Sequence, residues 1–158
     1  MSGASTLVTE QTQKAPLEPC QVFLIEDDYD DRILAEKELE KCQLVKDFRS
    51  FPDGAALTEY MKQAGFYDRS VLLFSPVLIL VDLEMPRKDG LEVIKELKSD
   101  SFLEHIPLVV ITSTKSTEKI QLAREYGACG VFRKPLTQNM IYRYLNDAWK
   151  WPPQEMWS

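Results

Sequence analysis

The 158-residue chain has few of the residues that build disulfide frameworks or zinc sites. It contains three cysteines, Cys20, Cys42 and Cys129, with no C-x-x-C pair, and a single histidine, His105. An odd number of isolated cysteines argues against a disulfide scaffold, and one histidine does not make a His-based metal centre. The common thiolate and imidazole metal sites are therefore excluded.

Long apolar runs and an excess of positive charge are also missing. The longest apolar run, Val77 to Val81, is far shorter than the ~20 residues that span a bilayer. The N-terminal residues lack the basic-then-apolar pattern of a signal peptide. Acidic residues outnumber basic residues by 25 to 19, which argues against a nucleic-acid surface. We expect a cytoplasmic protein that binds neither membrane nor nucleic acid.

What the chain does contain is a regular alternation of two kinds of segment. Five short runs of β-forming residues are predicted as strands, and each is followed by a helical pattern. The strands are predicted near 22–25, 45–51, 77–81, 108–111 and 129–133. The alternation indicates an α/β fold, a doubly wound parallel sheet with five helices distributed over both faces.

The helical patterns also divide the chain into a domain and two tails. In the first helix, Leu34, Ala35, Leu39 and Cys42 fall on one apolar arc. Helix caps are predicted at Asp53 and Thr137, and residues 65–75 are predicted to be a loop. We expect a flexible tail at 1–19, one domain at 20–150 and a C-terminal tail at 151–158.

Polar residues stand at the end of four of the predicted strands. Glu26, Asp27 and Asp28 follow the first strand, Asp82 the third, Thr112 to Thr114 the fourth, and Lys134 the fifth. Each residue alone has an ordinary explanation, such as a helix cap or a surface lysine. Because the carboxyl ends of parallel strands meet at one edge, we expect the residues to lie together there.

Such a cluster of acids predicts a bound cation. Two carboxylates about 4 Å apart repel each other by roughly 4 kcal/mol at an effective dielectric constant near 20. Oxygen ligands without imidazole or thiolate favour Mg²⁺. Lys134 would add a positive charge, Thr112 or Ser113 would donate a hydrogen bond to phosphoryl oxygens, and Asp82 is the candidate nucleophile.

Four local motifs resemble the receiver domain of two-component response regulators. They are Phe23-Leu24-Ile25-Glu26-Asp27-Asp28, the segment from Val81 to Gly90, Ile111-Thr112-Ser113 and Arg133-Lys134-Pro135. The resemblance covers about residues 21–150 and implies a flavodoxin-like strand order, 2-1-3-4-5. The chain resembles stand-alone receivers of the chemotaxis-regulator type. Its segment 65–75 and its aromatic C-terminus are similar to the corresponding segments of regulators that are paired with phytochrome-type kinases.

The resemblance implies a role for each residue at the sheet edge. Asp82 is the expected phosphoacceptor, and Asp27, Asp82 and the backbone carbonyl of Glu84 are expected to bind Mg²⁺, with Glu26 acting through water. Three further expectations complete the site. Thr112 and Ser113 would contact the phosphoryl group, Lys134 would pair with Asp82, and the bond before Pro135 would be cis.

Two positions depart from the family pattern. Val131 stands three residues before Lys134, where relatives usually carry a switching Tyr or Phe. The neighbouring Phe132 points to the opposite face of its strand, so we expect it in the core. Glu84, two residues after the acceptor, adds a negative side chain that would either repel an attacking hydroxide or occupy a metal position.

The sequence thus predicts a single-domain response regulator rather than an enzyme. Its expected partners are a histidine kinase or histidine phosphotransfer protein and a downstream protein target, and Trp149, Trp151 and Trp157 suggest either a homodimer surface or a cap on the core. Two alternatives stay open. One is a pseudo-receiver that only binds partners, and the other is a haloacid-dehalogenase-type phosphatase, which needs an Asp where Glu84 stands.

Overall fold

The computed structural model describes residues 19–157, without the side chain of Trp157, and has a five-stranded parallel sheet at its centre. The strands are β1 (Cys20–Ile25), β2 (Val45–Phe51), β3 (Val77–Asp82), β4 (Leu108–Thr112) and β5 (Gly130–Arg133). Their order is β2-β1-β3-β4-β5, which confirms the predicted fold and strand order. Residues 1–18 of the predicted N-terminal tail lie outside the described residues.

Six α-helices connect or follow these strands within the described residues. They are α1 (Tyr29–Lys41), α2 (Gly54–Gln63), α3 (Arg69–Leu73), α4 (Gly90–Lys98), α5 (Thr117–Glu125) and α6 (Gln138–Asp147), and a 3₁₀ turn follows at Gln154–Trp157. Every helix begins after a side chain that accepts a backbone N–H bond, as helix caps do. These caps are Asp28, Asp53, Asp68, Asp89, Ser116 and Thr137. Within 19–157 no helix is both long and apolar enough to cross a bilayer.

Two details of the predicted helices were wrong. Residues 65–75 were predicted as a loop, but they contain α3, whose five residues are too few to produce a helical period. Leu34 was predicted to face the core, yet it is 57% exposed, and the buried residues of α1 are Ala35 and Leu39. Leu34 lies at the margin of the apolar arc and borders a cavity instead.

The sheet is covered on both faces, which produces two apolar layers. α1 and α6 pack on one face against Val22 and Leu24, and the other face, with Phe23 and Ile25, packs against α2, α4 and α5. Successive strand residues point to opposite faces, so a sheet buried on both sides needs uninterrupted apolar strands. β3 is central, and all its residues are buried, including the terminal Asp82.

The C-terminal residues that we predicted as a tail pack against α3 as far as they are described. The indole N–H of Trp151 donates to the carbonyl of Leu73 over 3.0 Å, and Arg69 donates to the carbonyl of Met156 over 3.2 Å. Met156 is buried, and the rings of Trp149 and Trp151 are stacked. For these two tryptophans the contacts favour the capping role over a free surface. The side chain of Trp157 lies outside the described residues.

Candidate functional site

The site lies at the carboxyl edge of the sheet, where four separate segments end. Glu26 directly follows β1, Asp82 and Thr112 are the last residues of β3 and β4, and Lys134 directly follows β5. Glu26, Asp82 and Thr112 are buried, with 3%, 1% and 0% of their surface exposed. Polar groups are buried at such cost only when they find partners, so their contacts define what the site can do.

The ammonium of Lys134 is surrounded by three carboxylates. Its Nζ lies 3.2 Å from an oxygen of Asp82, 3.2 Å from one of Glu26 and 2.7 Å from one of Asp31. One oxygen of each acid lies within 4.8 Å of the others. The structure therefore brings together Glu26, Asp82 and Lys134, which the sequence predicted, and adds Asp31, which it did not.

Asp31 reaches the site because of how α1 begins. Its backbone N–H donates to the carboxylate of the cap residue Asp28 over 2.8 Å, which places it in the first helical turn. The first turn of a helix that follows a strand stays at the sheet edge. The signal in the sequence was the acid three residues after a capping Asp, a spacing that puts both residues at the same helix end.

The second oxygen of Asp82 and the hydroxyl of Thr112 both contact Glu84. The backbone N–H of Glu84 donates to Asp82 over 3.0 Å, and the Thr112 hydroxyl donates to the Glu84 carboxylate over 3.1 Å. The same hydroxyl oxygen accepts the backbone N–H of Thr114 over 2.9 Å. The hydroxyl proton of Thr112 is therefore used on Glu84 and not on Asp82.

The charges of the cluster change how its members bind protons. Burial, together with the hydrogen bond and negative charge of Asp82, raises the pKa of Glu26 to about 8, although Lys134 acts in the opposite direction. Burial lowers the pKa of Lys134, but the hydrogen bond to Asp31 and the charges of Asp82 and Glu26 outweigh it and raise that pKa. Burial and the neighbouring Asp82 thus favour the protonated form of Glu26, and the surrounding acids favour the cationic form of Lys134.

Asp27 lies outside the group of acids around Lys134. It borders a separate cavity of about 340 Å³ that is also lined by Met85, Arg87 and Lys88. Its Oδ1 is buried and has no hydrogen-bond partner among the described residues. Burying a carboxylate oxygen without a partner costs free energy, and binding to a hard divalent cation would offset that cost. The donor set at this edge therefore fits a divalent metal ion.

The remaining predicted residues occupy the margin of the site. Ser113 is exposed and lines a cavity of about 320 Å³ beside Lys134, and Pro135 lines it too and follows a cis peptide bond. Phe132 is buried against the ring of Tyr144 and belongs to the core, as predicted, whereas Val131 is only half-buried. The described site therefore has no aromatic side chain at the position of Val131.

Comparison with protein families and sequences places this architecture among signalling proteins. A family model described as the response regulator receiver domain matches residues 22–146. The response regulator Rcp1 of Synechocystis sp. is 33% identical over 102 residues, which are 65% of this chain and 67% of Rcp1. The chemotaxis protein CheV2 of Helicobacter pylori is 33% identical over 103 residues, 64% of this chain but only 31% of CheV2.

Solved structures agree with the sequence comparisons. A crystal structure of the phosphorylated cyanobacterial phytochrome response regulator RcpA superimposes with a TM-score of 0.65 at 27% identity, covering 85% of this chain and 99% of RcpA. The structure of the bacteriophytochrome response regulator AtBRR superimposes with a TM-score of 0.64 at 32% identity, covering 82% of this chain and 92% of AtBRR. The crystal structure of the Mn(2+)-bound form of Rcp1 superimposes with a TM-score of 0.60 at 26% identity, covering 85% of this chain and 99% of Rcp1.

Proposed function

The chain belongs to the family of response regulator receiver domains, the signalling domains of two-component systems, and from this we propose that Asp82 is its phosphoacceptor. The observation that carries the proposal is the environment of the Asp82 carboxylate. One of its oxygens lies 3.2 Å from the Lys134 ammonium, and the other accepts the Glu84 N–H. Both contacts orient the buried carboxylate, and each contributes a hydrogen-bond donor or a positive charge beside it.

The proposed reaction is phosphoryl transfer from a phosphohistidine to Asp82. A carboxylate oxygen of Asp82 attacks phosphorus, the P–N bond to the donor imidazole breaks, and the released imidazole nitrogen takes up a proton. The product is an acyl phosphate, and Lys134 offsets the charge that it adds. The donor would be a histidine kinase or histidine phosphotransfer protein. The relatives RcpA and AtBRR, described as phytochrome and bacteriophytochrome regulators, favour a phytochrome-type kinase.

We propose that the transfer depends on Mg²⁺. Asp27, Asp82 and the backbone carbonyl of Glu84 would hold the ion, and Glu26 would act through a water molecule. A hydrated divalent ion supplies charge neutralisation for the transferred phosphoryl group. The unpartnered Oδ1 of Asp27 and the existence of a Mn(2+)-bound structure of the relative Rcp1 support this assignment.

The output of the proposed reaction is a change in protein binding. Thr112 and Ser113 lie at the end of β4, and a phosphoryl group on Asp82 would offer the Thr112 hydroxyl a new acceptor in place of Glu84. Movement of Thr112 would shift the loop after β4 between two arrangements and so alter the surface that a downstream protein recognises.

One mass measurement tests the phosphoacceptor. We expect the chain to gain one phosphoryl mass when incubated with Mg²⁺ and acetyl phosphate, and to lose it with hydroxylamine, which cleaves acyl phosphates. Asp82→Asn should gain nothing. The exposed acid Asp30 provides a matched control, since Asp30→Asn removes the same charge outside the cluster and should behave as the wild type.

Other outcomes of the same measurement identify the alternatives. A wild type that gains no mass under any Mg²⁺ concentration would support a pseudo-receiver that acts by binding alone. Continuous turnover of a generic phosphate ester would support the phosphatase, and we expect none because Glu84 stands where that class needs an aspartate.

A further inference from the structure

The contact between Asp31 and Lys134 has no role in the proposed function as stated. We propose that Asp31 is a positioning residue: it draws the Lys134 ammonium away from Asp82 and thereby limits the rate at which Asp82 takes up a phosphoryl group. The inference rests on the proposed function, because it concerns the rate of that reaction.

The distances favour Asp31 as the principal partner of Lys134. Its oxygen lies 2.7 Å from Nζ, whereas those of Asp82 and Glu26 both lie at 3.2 Å. An ammonium has three hydrogens to donate, and three carboxylates surround this one. A phosphoryl group on Asp82 would therefore compete with Asp31 and Glu26 for the same ammonium.

The start of α1 fixes Asp31 in this role. In a capping box, the acid in the third helical position turns back to the N–H of the cap residue. Here the N–H of the cap residue, Asp28, points to Glu26 at 3.4 Å, so the Asp31 carboxylate is left to face Lys134. The helix start thus supplies an extra acid to a lysine that already has two.

Exposure decides which contact is given up. The side chain of Asp31 is 42% exposed beside an open cavity, whereas those of Glu26 and Asp82 are 3% and 2% exposed. Water can replace the ammonium at Asp31 but not at the two buried acids. Asp31 is therefore the partner that Lys134 leaves when charge builds up at Asp82.

The test compares two single-charge variants of the same helical turn, of which only Asp31→Asn removes a contact with Lys134. Asp31→Asn removes one negative charge from the cluster, and Asp30→Asn removes one from the adjacent exposed position of the same helical turn. Uptake of phosphoryl mass from acetyl phosphate with Mg²⁺ is followed over time. We expect Asp31→Asn to react about two- to fivefold faster than the wild type, a ratio in the range of an exposed ion pair.

Salt and a conservative variant separate positioning from a structural effect. The gain should shrink in about 1 M salt, where the Debye length is about 3 Å, and Asp31→Glu should keep the wild-type rate. Asp31→Asn that reacts no faster than Asp30→Asn, or a gain that salt does not reduce, would overturn the inference alone. A wild type that takes up no phosphoryl group would overturn the proposed function as well.

Discussion

The hydroxyl of Thr112, the last residue of β4, donates its hydrogen bond to the carboxylate of Glu84, 3.1 Å away in the loop after β3. Glu84 is exposed and carries a negative charge two residues after Asp82. Its carboxylate thus offers Thr112 an oxygen acceptor of the kind that a phosphoryl group would offer. The contact ties the loop after β3 to the end of β4 before any phosphoryl group is present.

Removing the Glu84 side chain should speed phosphorylation. Glu84→Ala frees the Thr112 hydroxyl and deletes a nearby negative charge, whereas Glu84→Gln deletes the charge but keeps an acceptor. We expect both variants to take up phosphoryl mass faster than the wild type, by about two- to tenfold, with the larger gain in Glu84→Ala. Glu92, an exposed acid in the first turn of α4, provides the control substitution Glu92→Gln. Equal rates for Glu84→Ala and Glu92→Gln would contradict the prediction.

The stability of the metal-free protein should fall as pH rises through the range in which Glu26 is protonated in the folded protein but ionised in the unfolded chain. The pKa of Glu26 rises from 4.5 to about 8 on folding, so between these values the folded protein holds a proton that the unfolded chain has released. The free energy of unfolding then decreases with pH, by at most about 1.4 kcal/mol per pH unit. Urea unfolding with a chelator, over a pH series, measures this slope.

Two substitutions check that Glu26 is the source of that slope. Glu26→Gln cannot release a proton, and we expect its free energy of unfolding to be flatter between pH values of 4.5 and about 8. Glu40→Gln alters an exposed acid of α1 and should keep the wild-type slope. If Glu26→Gln keeps the slope as well, another group binds the proton.

Gly90 should not tolerate a side chain. A Cβ at this first residue of α4 would lie 2.5 Å from the carbonyl oxygen of Asp82 and 2.6 Å from Cα of Leu83, so backbone would have to move. We expect Gly90→Ala to lower the free energy of unfolding by about 1–3 kcal/mol and to slow phosphorylation, because the Asp82 backbone shifts. A Cβ at Gly54 would meet only side-chain atoms, the nearest a carbon of Val93 at 3.4 Å, so Gly54→Ala should be nearly neutral. Equal unfolding energies for the two variants would count against the close contact.

The C-terminal residues should contribute to stability through α3. Trp151→Phe keeps most of the ring but loses the hydrogen bond to Leu73, and we expect a loss of about 1 kcal/mol in the free energy of unfolding. Tyr142→Phe, at an exposed aromatic residue of α6, should have no effect. A Trp151→Phe variant as stable as Tyr142→Phe would mean that the contact is dispensable.

The homodimer stays a prediction that the same segment can test. Deleting residues 151–158 should reduce the oligomeric mass in solution from that of two chains to that of one chain if the aromatic C-terminus holds two copies together. An unchanged number of chains per particle would rule out a dimer role for this segment.

The sheet was predictable because its strands carry the strongest local signal in the chain. Uninterrupted apolar runs such as Val77–Val81 occur where both faces of a strand are covered, and the structure confirms this for β3. α3 was not predicted because its five residues make less than two helical turns, which is too short for a repeating apolar pattern. Leu34 was misplaced because a residue at the margin of an apolar arc can face either core or solvent.

At the candidate site, the sequence predicted the meeting of residues but not how they share their contacts. The rule that strand ends meet at one edge was enough to bring Glu26, Asp82 and Lys134 together. Which acid lies nearest Lys134 depends on how α1 packs on the sheet, and the spacing of residues along the chain does not specify that packing. For the same reason the approach of Thr112 to Glu84 could not be derived from spacing.

The long separation of the contacting groups along the chain has a consequence for synthesis. Lys134 lies 108 residues after Glu26, and the lysine that balances the buried acids is among the last parts of the domain to leave the ribosome. A nascent or truncated chain that ends before β5 has the carboxylates but lacks their counter-charge. The buried acids therefore gain their cationic partner only when the last strand of the sheet and the residue that follows it have been made.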